Sequence, residues 1–160
     1  MRAGHGGVVM GSEISGNVRN VFVEDCIMDS PSLQRIIRFK TNSLRGGIIE
    51  NVFVRNIHVG QVQQAILHID FQYEEGDAGS FTPIVRNINL ENITSQQSGR
   101  ALFIRAYERA PVTGIHIKNS HFKGVASENI IEHVKQLTLE NVFINGQPMK
   151  NPVSESEAQM

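Results

Sequence analysis

The chain has a single cysteine, Cys26, which excludes an internal disulfide and gives no information on the cellular compartment. We expect Cys26 to be a small, buried apolar side chain. Long apolar runs are also missing, so no membrane-spanning helix and no membrane partner are predicted. Residues 1–15 lack the charged and apolar regions of a signal peptide. Because Met1 leads directly into a glycine-rich segment, we interpret the start as truncated, and the localisation is not determined by the sequence.

Neither sign of charge is in large excess. The formal net charge is −1, and the basic residues are scattered along the chain. A protein that binds nucleic acid needs a concentrated basic surface to hold the phosphate backbone, so nucleic acid is not an expected partner. The chain has 160 residues, of which 40% are hydrophobic, and is therefore long enough for one domain with a continuous core.

A fivefold internal repeat is the dominant feature of the sequence. Each copy places two aliphatic residues two positions apart, as Val21 and Val23 show, which is typical of a short strand with one buried face. Each copy ends on Asp or Asn, where a tight turn must follow. Asparagine tolerates left-handed backbone angles, and stacked copies would align these side chains in a ladder. The copies are residues 20–25, 51–56, 87–92, 114–119 and 136–141.

The spacing of the copies predicts a solenoid. Successive copies start 31, 36, 27 and 22 residues apart, at positions 20, 51, 87, 114 and 136. Such spacings suit coils whose strands stack in parallel and share one core. Second strands are expected at 36–40, 65–71 and 101–106, and no long segment has helical periodicity, so the fold class is all-β. We expect coils over residues 1–147 and a polar tail or cap over residues 148–160.

Two blocks of sequence resemble signature segments of glycoside hydrolase family 28, the polygalacturonases and their relatives. The first block is Gly-His-Gly-Gly at 4–7, which leads to Gly-Ser-Glu13, and the second is Arg38-Phe-Lys40-Thr-Asn, followed by Arg45-Gly-Gly. Their order and their position within the repeat match the family. Phe39 replaces the usual isoleucine, on the side of the strand that we expect to face the core. The resemblance implies a right-handed parallel β-helix (solenoid), truncated at its N-terminal end.

The resemblance also implies roles for individual residues. His5 matches a histidine that lies beside the catalytic carboxylates, and Arg38 and Lys40 match cations that grip a uronate carboxylate. Because Arg38 and Lys40 are two apart on a strand, both side chains leave on the same face, where they could hold one carboxylate. A stretch that starts at Phe71 resembles the family segment with a tyrosine in the substrate groove, here Tyr73. The implied partner is galacturonan, an acidic polysaccharide, or its oligomers, and the family suggests a secreted or periplasmic parent.

The catalytic acids of the family are not found in the sequence. Family members are similar in being inverting hydrolases, which need one carboxylic acid for the leaving oxygen and one carboxylate to activate water. In the family these aspartates lie in Asn-Thr-Asp and Asp-Asp segments upstream of the Gly-His-Gly block, whereas this sequence begins three residues before it. We therefore expect an inactive C-terminal portion of a pectin-degrading enzyme, in which His5 has no aspartate to orient.

Two other functions remain open. A non-catalytic solenoid would keep Arg38, Lys40 and Tyr73 as a uronate-binding cradle. A purely structural β-helix would associate with itself through an uncovered first coil near residues 16–25. Without the family context, two solvated cations, a half-buried tyrosine and a flexible loop histidine at His5 would be the plainer interpretations.

No cofactor and no metal site are expected. The glycine-rich start lacks a preceding strand and a complete dinucleotide fingerprint, and the other histidines lack zinc-ligand spacing. The acidic cluster between Asp70 and Asp77 fits no calcium-binding register and is interpreted as a solvated loop. A polysaccharide lyase would need such a calcium site, so the two sequence blocks favour a glycosidase relative.

Overall fold

A computed structural model describes residues 3–152 of the chain. Within this part the chain forms thirteen β-strands in three sheets. No helix among the described residues is long and apolar enough to cross a membrane. The strands are β1 Ala3–Gly4, β2 Val8–Met10, β3 Asn17–Met28, β4 Ser32–Leu33, β5 Arg35–Lys40, β6 Ile48–Gln61, β7 Ala65–Asp70, β8 Ile84–Gln97, β9 Arg100–Arg105, β10 Val112–Phe122, β11 Ile130–Glu132, β12 Val134–Ile144 and β13 Gln147–Pro148.

Two stacked sheets form the walls of the molecule. The long-strand sheet has the order β13-β12-β10-β8-β6-β3, and the short-strand sheet has the order β11-β9-β7-β5-β2. Neighbouring strands in both sheets are parallel, apart from the antiparallel pair of β12 and β13. Each turn of the chain adds one strand to each sheet, and the coils wind right-handed. The predicted right-handed parallel β-helix is therefore confirmed.

The register follows the sequence repeat. Val21 lies opposite Val52, and Val52 lies opposite Ile88, which reproduces the spacings of 31 and 36 residues. The inward positions of every copy contribute to one continuous core, as Val52 and Ile88 show with no exposed surface. Parallel stacking lets each coil bury an apolar face that it could not bury alone. The predicted second strands correspond to β5, β7 and β9.

Asparagine side chains stack at the turns of the long-strand sheet. The residues that end the five copies all have positive φ angles, between 48° and 55°. Asn56 Nδ2 donates to Asp25 Oδ1 at 2.8 Å, and Asn92 Nδ2 donates to Asn56 Oδ1 at 3.1 Å. The predicted ladder is thus present. A second ladder at the start of the copies, in which Asn51 bonds Asn20 at 3.1 Å, was not foreseen.

The chain folds back on its last coil after β12. The Met149 amide donates to the Val142 carbonyl at 2.9 Å, and Asn151 Nδ2 donates to the Leu137 carbonyl at 2.6 Å. The boundary between residues 147 and 148 stays a prediction, and most of the predicted tail, residues 153–160, lies outside the described residues. At the other end, β3 is the edge of the long-strand sheet among residues 3–152. Self-association through this coil stays a prediction.

Candidate functional site

The outer face of β5 carries two of the predicted site residues. Ile37 and Phe39 point into the core and are almost fully buried, so Phe39 faces the core as expected. The alternation of the strand therefore sends Arg38 and Lys40 to the opposite face. Arg38 is only 8% exposed, although its side chain is charged. The sequence pattern thus places a largely desolvated cation and a half-buried one on the same face of the sheet.

Tyr73 lies against both cations. Lys40 Nζ is 4.7 Å and Arg38 Cζ is 5.6 Å from the centroid of the Tyr73 ring. Both distances are within the range of a cation–π interaction, which is stronger where the cation has lost part of its hydration. Three of the four predicted site residues therefore lie together, and we call Arg38, Lys40 and Tyr73 the cation–tyrosine cluster.

The loop that carries Tyr73 is anchored to neighbouring coils. Asn42 is 1% exposed, and its Nδ2 donates to the Tyr73 carbonyl at 3.0 Å and to Glu75 Oε2 at 2.9 Å. The Tyr107 hydroxyl, which is buried, lies 2.8 Å from the Gly76 carbonyl oxygen. Arg109 pairs with Asp77 on the outside of the loop. Contacts that span about 31 to 33 residues of sequence therefore fix the position of the tyrosine.

The acidic cluster is not entirely the solvated loop that the sequence suggested. Asp70 ends β7, its side chain is 13% exposed, and both carboxylate oxygens accept hydrogen bonds from Arg105 at 3.1–3.2 Å. Asp70 is also the in-register neighbour of Lys40 on the adjacent strand. The in-register carboxylate beside Lys40 is thus already paired with an arginine, and Glu74 is the acid whose charge acts on Lys40.

Like charges crowd the outer face of β5. Burial lowers the pKa of Arg35, Arg38 and Lys40, and the charge of Arg38 lowers the pKa of its two neighbours further. None of the ion pairs formed among residues 3–152 includes these three side chains. The charges of Asp70 and Glu74 offset this effect only in part, since the pKa of each cation stays lowered. Partly desolvated cations that form no ion pair favour the binding of an anion, because the anion offsets both their repulsion and their lost hydration.

His5 does not join the cation–tyrosine cluster in the described structure. Its exposed ring places Nδ1 3.3 Å from Gln34 Oε1, and Gln34 in turn accepts a hydrogen bond from Arg35 Nη1 at 2.8 Å. A Cβ at Gly6 would lie 2.4 Å from Val9 Cγ2, so that methyl group would have to move, and 3.5 Å from Arg38 Cβ. The Gly-His-Gly segment thus passes close to Arg38, and a catalytic role of His5 stays a prediction.

A groove beside the cation–tyrosine cluster was not foreseen from the sequence. Its volume is about 440 Å³, and Arg35, His68, Asp70, Arg100 and Phe103 contribute to its walls. The rings of His68 and Phe103 stack in parallel with centroids 4.4 Å apart. We call this feature the outer groove. Among residues 3–152, no group of three His, Cys, Asp or Glu residues could hold a metal ion.

One signal in the sequence could have revealed the outer groove. Leu67 and Ile69 face the core, so the alternation of β7 places His68 on the outer face, directly beside Arg38. His68 is only 5% exposed, and its spacing from the other histidines gave no indication of this burial. Its burial depends on Phe103, 35 positions later in the chain, which the pattern of one strand does not reveal.

Comparisons with known proteins agree with this fold. The sequence profile of the family described as "Glycosyl hydrolases family 28" matches residues 1–145. A "Probable polygalacturonase" of Vitis vinifera is 28% identical over 119 residues, which cover 70% of this chain and 23% of the relative. The crystal structure of a hyperthermoactive exopolygalacturonase from Thermotoga maritima is 33% identical, with a TM-score of 0.84, over 91% of this chain and 32% of that chain. The chain therefore spans about a third or less of the length of these relatives.

Proposed function

Because the chain belongs to glycosyl hydrolases family 28, we propose that it is the galacturonan-binding part of a polygalacturonase-like enzyme that hydrolyses pectin. The observation that carries this proposal is the convergence of Arg38, Lys40 and Tyr73 on one outer face of the solenoid. The names of the two relatives, both polygalacturonases, support a polymer of galacturonate as the ligand.

The cation–tyrosine cluster suits a sugar that carries a carboxylate. The guanidinium of Arg38 and the ammonium of Lys40 would donate charge-assisted hydrogen bonds to one carboxylate, and the Tyr73 ring would contact the sugar. A hydrogen bond to a charged group contributes about 1.5–3 kcal/mol when its partners are otherwise unpaired. A neutral hexose would leave both cations desolvated and without a partner, so discrimination against it follows from the same geometry.

Hydrolysis requires a pair of acids that this cluster does not supply. Inversion uses two carboxyl groups about 6.5–9.5 Å apart, with room for a water between them and the sugar. The acidic groups nearest the cluster already have partners: Asp70 is bound by Arg105, and Glu74 forms a hydrogen bond with Tyr73, which raises the pKa of that tyrosine. We propose that this chain binds the substrate without cleaving it, and that His5 orients an acid supplied by the rest of an intact inverting enzyme.

Affinity for galacturonate oligomers tests the proposed function. Isothermal titration with digalacturonate should show binding by the native chain and at least tenfold weaker binding by Lys40→Gln and Arg38→Gln, because each loses one charge-assisted hydrogen bond. Arg55→Gln is the matched control, since Arg55 carries the same charge but pairs with Glu24 on the long-strand sheet. The control should bind as the native chain does, and neutral galactose oligomers should not bind.

Two results would contradict the proposal. Equal affinity of the native chain for galactose and galacturonate oligomers would show that the cations do not select a carboxylate. Release of reducing ends from polygalacturonate by the native chain, abolished in Arg38→Ala, would show that acids within this chain perform hydrolysis. The account predicts no release from a sample that circular dichroism shows to be folded.

A further inference from the structure

We propose that Gln34 is a positioning residue for His5, because its side-chain oxygen holds the neutral imidazole in the tautomer that carries the proton on Nδ1. Nε2 is then left with a free lone pair and can accept a hydrogen bond but cannot donate one. The tautomer itself is independent of the proposed function, whereas its use toward an acid rests on the role proposed for His5. Gln34 lies in neither of the two signature blocks.

Backbone hydrogen bonds hold the Gly-His-Gly segment beside Gln34. The Gln34 amide donates to the Gly4 carbonyl at 3.0 Å, and the Gly7 amide donates to the Arg35 carbonyl at 2.9 Å. The strands β1 and β4, which precede these bonds, are also paired in parallel. The backbone of His5 is therefore fixed on both sides to one short stretch of the next coil. The proximity of its ring to the Gln34 side chain thus does not depend on the two side chains alone.

Arg35 determines the orientation of the Gln34 side-chain amide. Arg35 Nη1 lies 2.8 Å from Gln34 Oε1. A guanidinium group has donors only, so the Gln34 atom that it contacts must be the carbonyl oxygen and not the amide nitrogen. The bond is charge-assisted and is therefore stronger than a bond between neutral groups. Arg35 belongs to none of the ion pairs between described residues, so no carboxylate competes with Gln34 for this donor.

The same oxygen determines which nitrogen of His5 carries the proton. His5 Nδ1 lies 3.3 Å from Gln34 Oε1. A carbonyl oxygen has two lone pairs and no hydrogen, so it accepts from both Arg35 and His5, and Nδ1 must be the donor. In a neutral imidazole one nitrogen donates and the other accepts, so this bond makes Nε2 the acceptor. Within the part of the chain that the structure describes, no hydrogen bond engages Nε2.

An acceptor at Nε2 fits only one of the two acids of an inverting hydrolase. The acid that protonates the leaving oxygen carries a proton and can donate it in a hydrogen bond to Nε2. The carboxylate that activates water has no proton to donate, and it would need a histidine with the proton on Nε2. Gln34 therefore decides which protonation state of a carboxyl group the neutral imidazole of His5 can bind.

Nitrogen NMR of the imidazole rings tests the tautomer directly. In the isotope-labelled chain at about pH 9, where an ordinary imidazole is neutral, correlations from the ring hydrogens distinguish a protonated ring nitrogen from an unprotonated one. His5→Gln removes the His5 signals and so identifies them. The Nδ1–H form of His5 should be the major one in the native chain. In Gln34→Ala the ratio of the Nδ1–H form to the Nε2–H form should fall at least about threefold, because the acceptor is lost.

Two further variants separate the acceptor at position 34 from general effects of substitution. Gln34→Glu should keep the native tautomer, because its carboxylate accepts from both Arg35 and His5. Gln96→Ala is the matched control, since Gln96 is an exposed glutamine on β8, and it should also keep the native ratio. Loss of the Nδ1–H form in Gln34→Glu as well as in Gln34→Ala would overturn the proposal, because the change would not then follow the acceptor.

The outcomes also separate this proposal from the proposed function. A major Nε2–H form of His5 in the native chain would overturn the role of Gln34, as would an unchanged ratio in a Gln34→Ala sample that circular dichroism shows to be folded. Either result would leave the binding of digalacturonate and its sensitivity to Lys40→Gln unaffected. Conversely, a native chain with the Nδ1–H form that does not bind digalacturonate would contradict the proposed function and leave the positioning of His5 by Gln34 standing.

Discussion

Burial decides the charge of the histidine in the outer groove. His68 is 5% exposed, and its burial, together with the charges of Arg35, Arg38 and Arg105, lowers the pKa of its imidazole to about 3. The imidazole is therefore neutral in the folded chain at pH values well above 3. Since guanidinium groups stay protonated, the positive charge of the outer groove does not depend on pH in the range where pectin carboxylates are ionised.

The same histidine makes stability depend on pH. The unfolded chain takes up a proton at His68 near pH 6.5, whereas the folded chain does so only near pH 3, so the free energy of unfolding falls as the pH falls through this window. The loss is ~1.4 kcal/mol per pKa unit, or about 2–3 kcal/mol between pH 6.5 and pH 4.5. Urea denaturation of native chain and His68→Gln at several pH values measures it.

His68→Gln should lose less stability on acidification than the native chain does. The difference in the free energy of unfolding should be about 2–3 kcal/mol between pH 6.5 and pH 4.5. His116→Gln makes the same exchange at an exposed position and controls for the loss of one imidazole. Parallel pH profiles for the native chain and His68→Gln would mean that the buried imidazole accepts a proton as readily as in the unfolded chain, and would contradict the account.

Sequence reasoning at the scale of residues succeeded where one strand was sufficient. Arg38 and Lys40 share a face because they are two apart on β5, and Phe39 between them faces the core. The proximity of Tyr73 to the cations came from the family resemblance and not from a pattern, because hydrogen bonds from Asn42 and Tyr107 determine the course of its loop. The alternation of β7 shows from the sequence that His68 faces outward, but it does not show that His68 is buried.

At the scale of elements, the turn asparagines join consecutive coils of the long-strand sheet. Asn56 has a φ of 55°, donates to Asp25 and accepts from Asn92. Position 56 therefore needs a residue that tolerates a left-handed backbone and that also has a hydrogen-bonding side chain. Asparagine satisfies both, whereas glycine satisfies only the first and alanine satisfies neither.

Substitution of Asn56 separates these two properties. Asn56→Gly keeps the backbone conformation but loses two partly solvated hydrogen bonds, which costs about 1 kcal/mol, and Asn56→Ala should cost about 1 kcal/mol more because its Cβ disfavours positive φ. Urea denaturation gives both values. Asn17 is the control position, because it is exposed at the start of β3 and is absent from the positive-φ residues of the described chain. Asn17→Ala should therefore be at least as stable as Asn17→Gly. Equal stability of the two Asn56 variants would contradict the strain argument.

The register of the long strands was predictable because the repeat itself specifies it. A slip by one residue would turn every core position outward, so five copies of one alternating pattern have only one consistent stacking. The ladder at the start of the copies was missed because it is incomplete, with Gly114 and Gln136 in place of asparagine. The outer groove was missed because it forms between coils and leaves no periodic trace in the sequence.

At the scale of the whole molecule, the distribution of ion pairs separates the two sheets. On the long-strand sheet Glu50 is bound by Arg19 at 2.7 Å and by Arg86 at 2.6 Å. On the short-strand sheet Arg35, Arg38 and Lys40 belong to none of the ion pairs among residues 3–152. A net charge of −1 thus conceals a local excess of positive charge on one face, which would attract a polyanion and orient it.

The most direct test of this account is a crystal structure of the chain with trigalacturonate bound. We expect one carboxylate of the ligand within hydrogen-bond distance of Arg38 and Lys40, with its sugar ring against Tyr73. Sugar bound to the short-strand sheet with its carboxylates directed to solvent, or bound only on the long-strand sheet, would contradict the central claim that these unpaired cations recognise uronate.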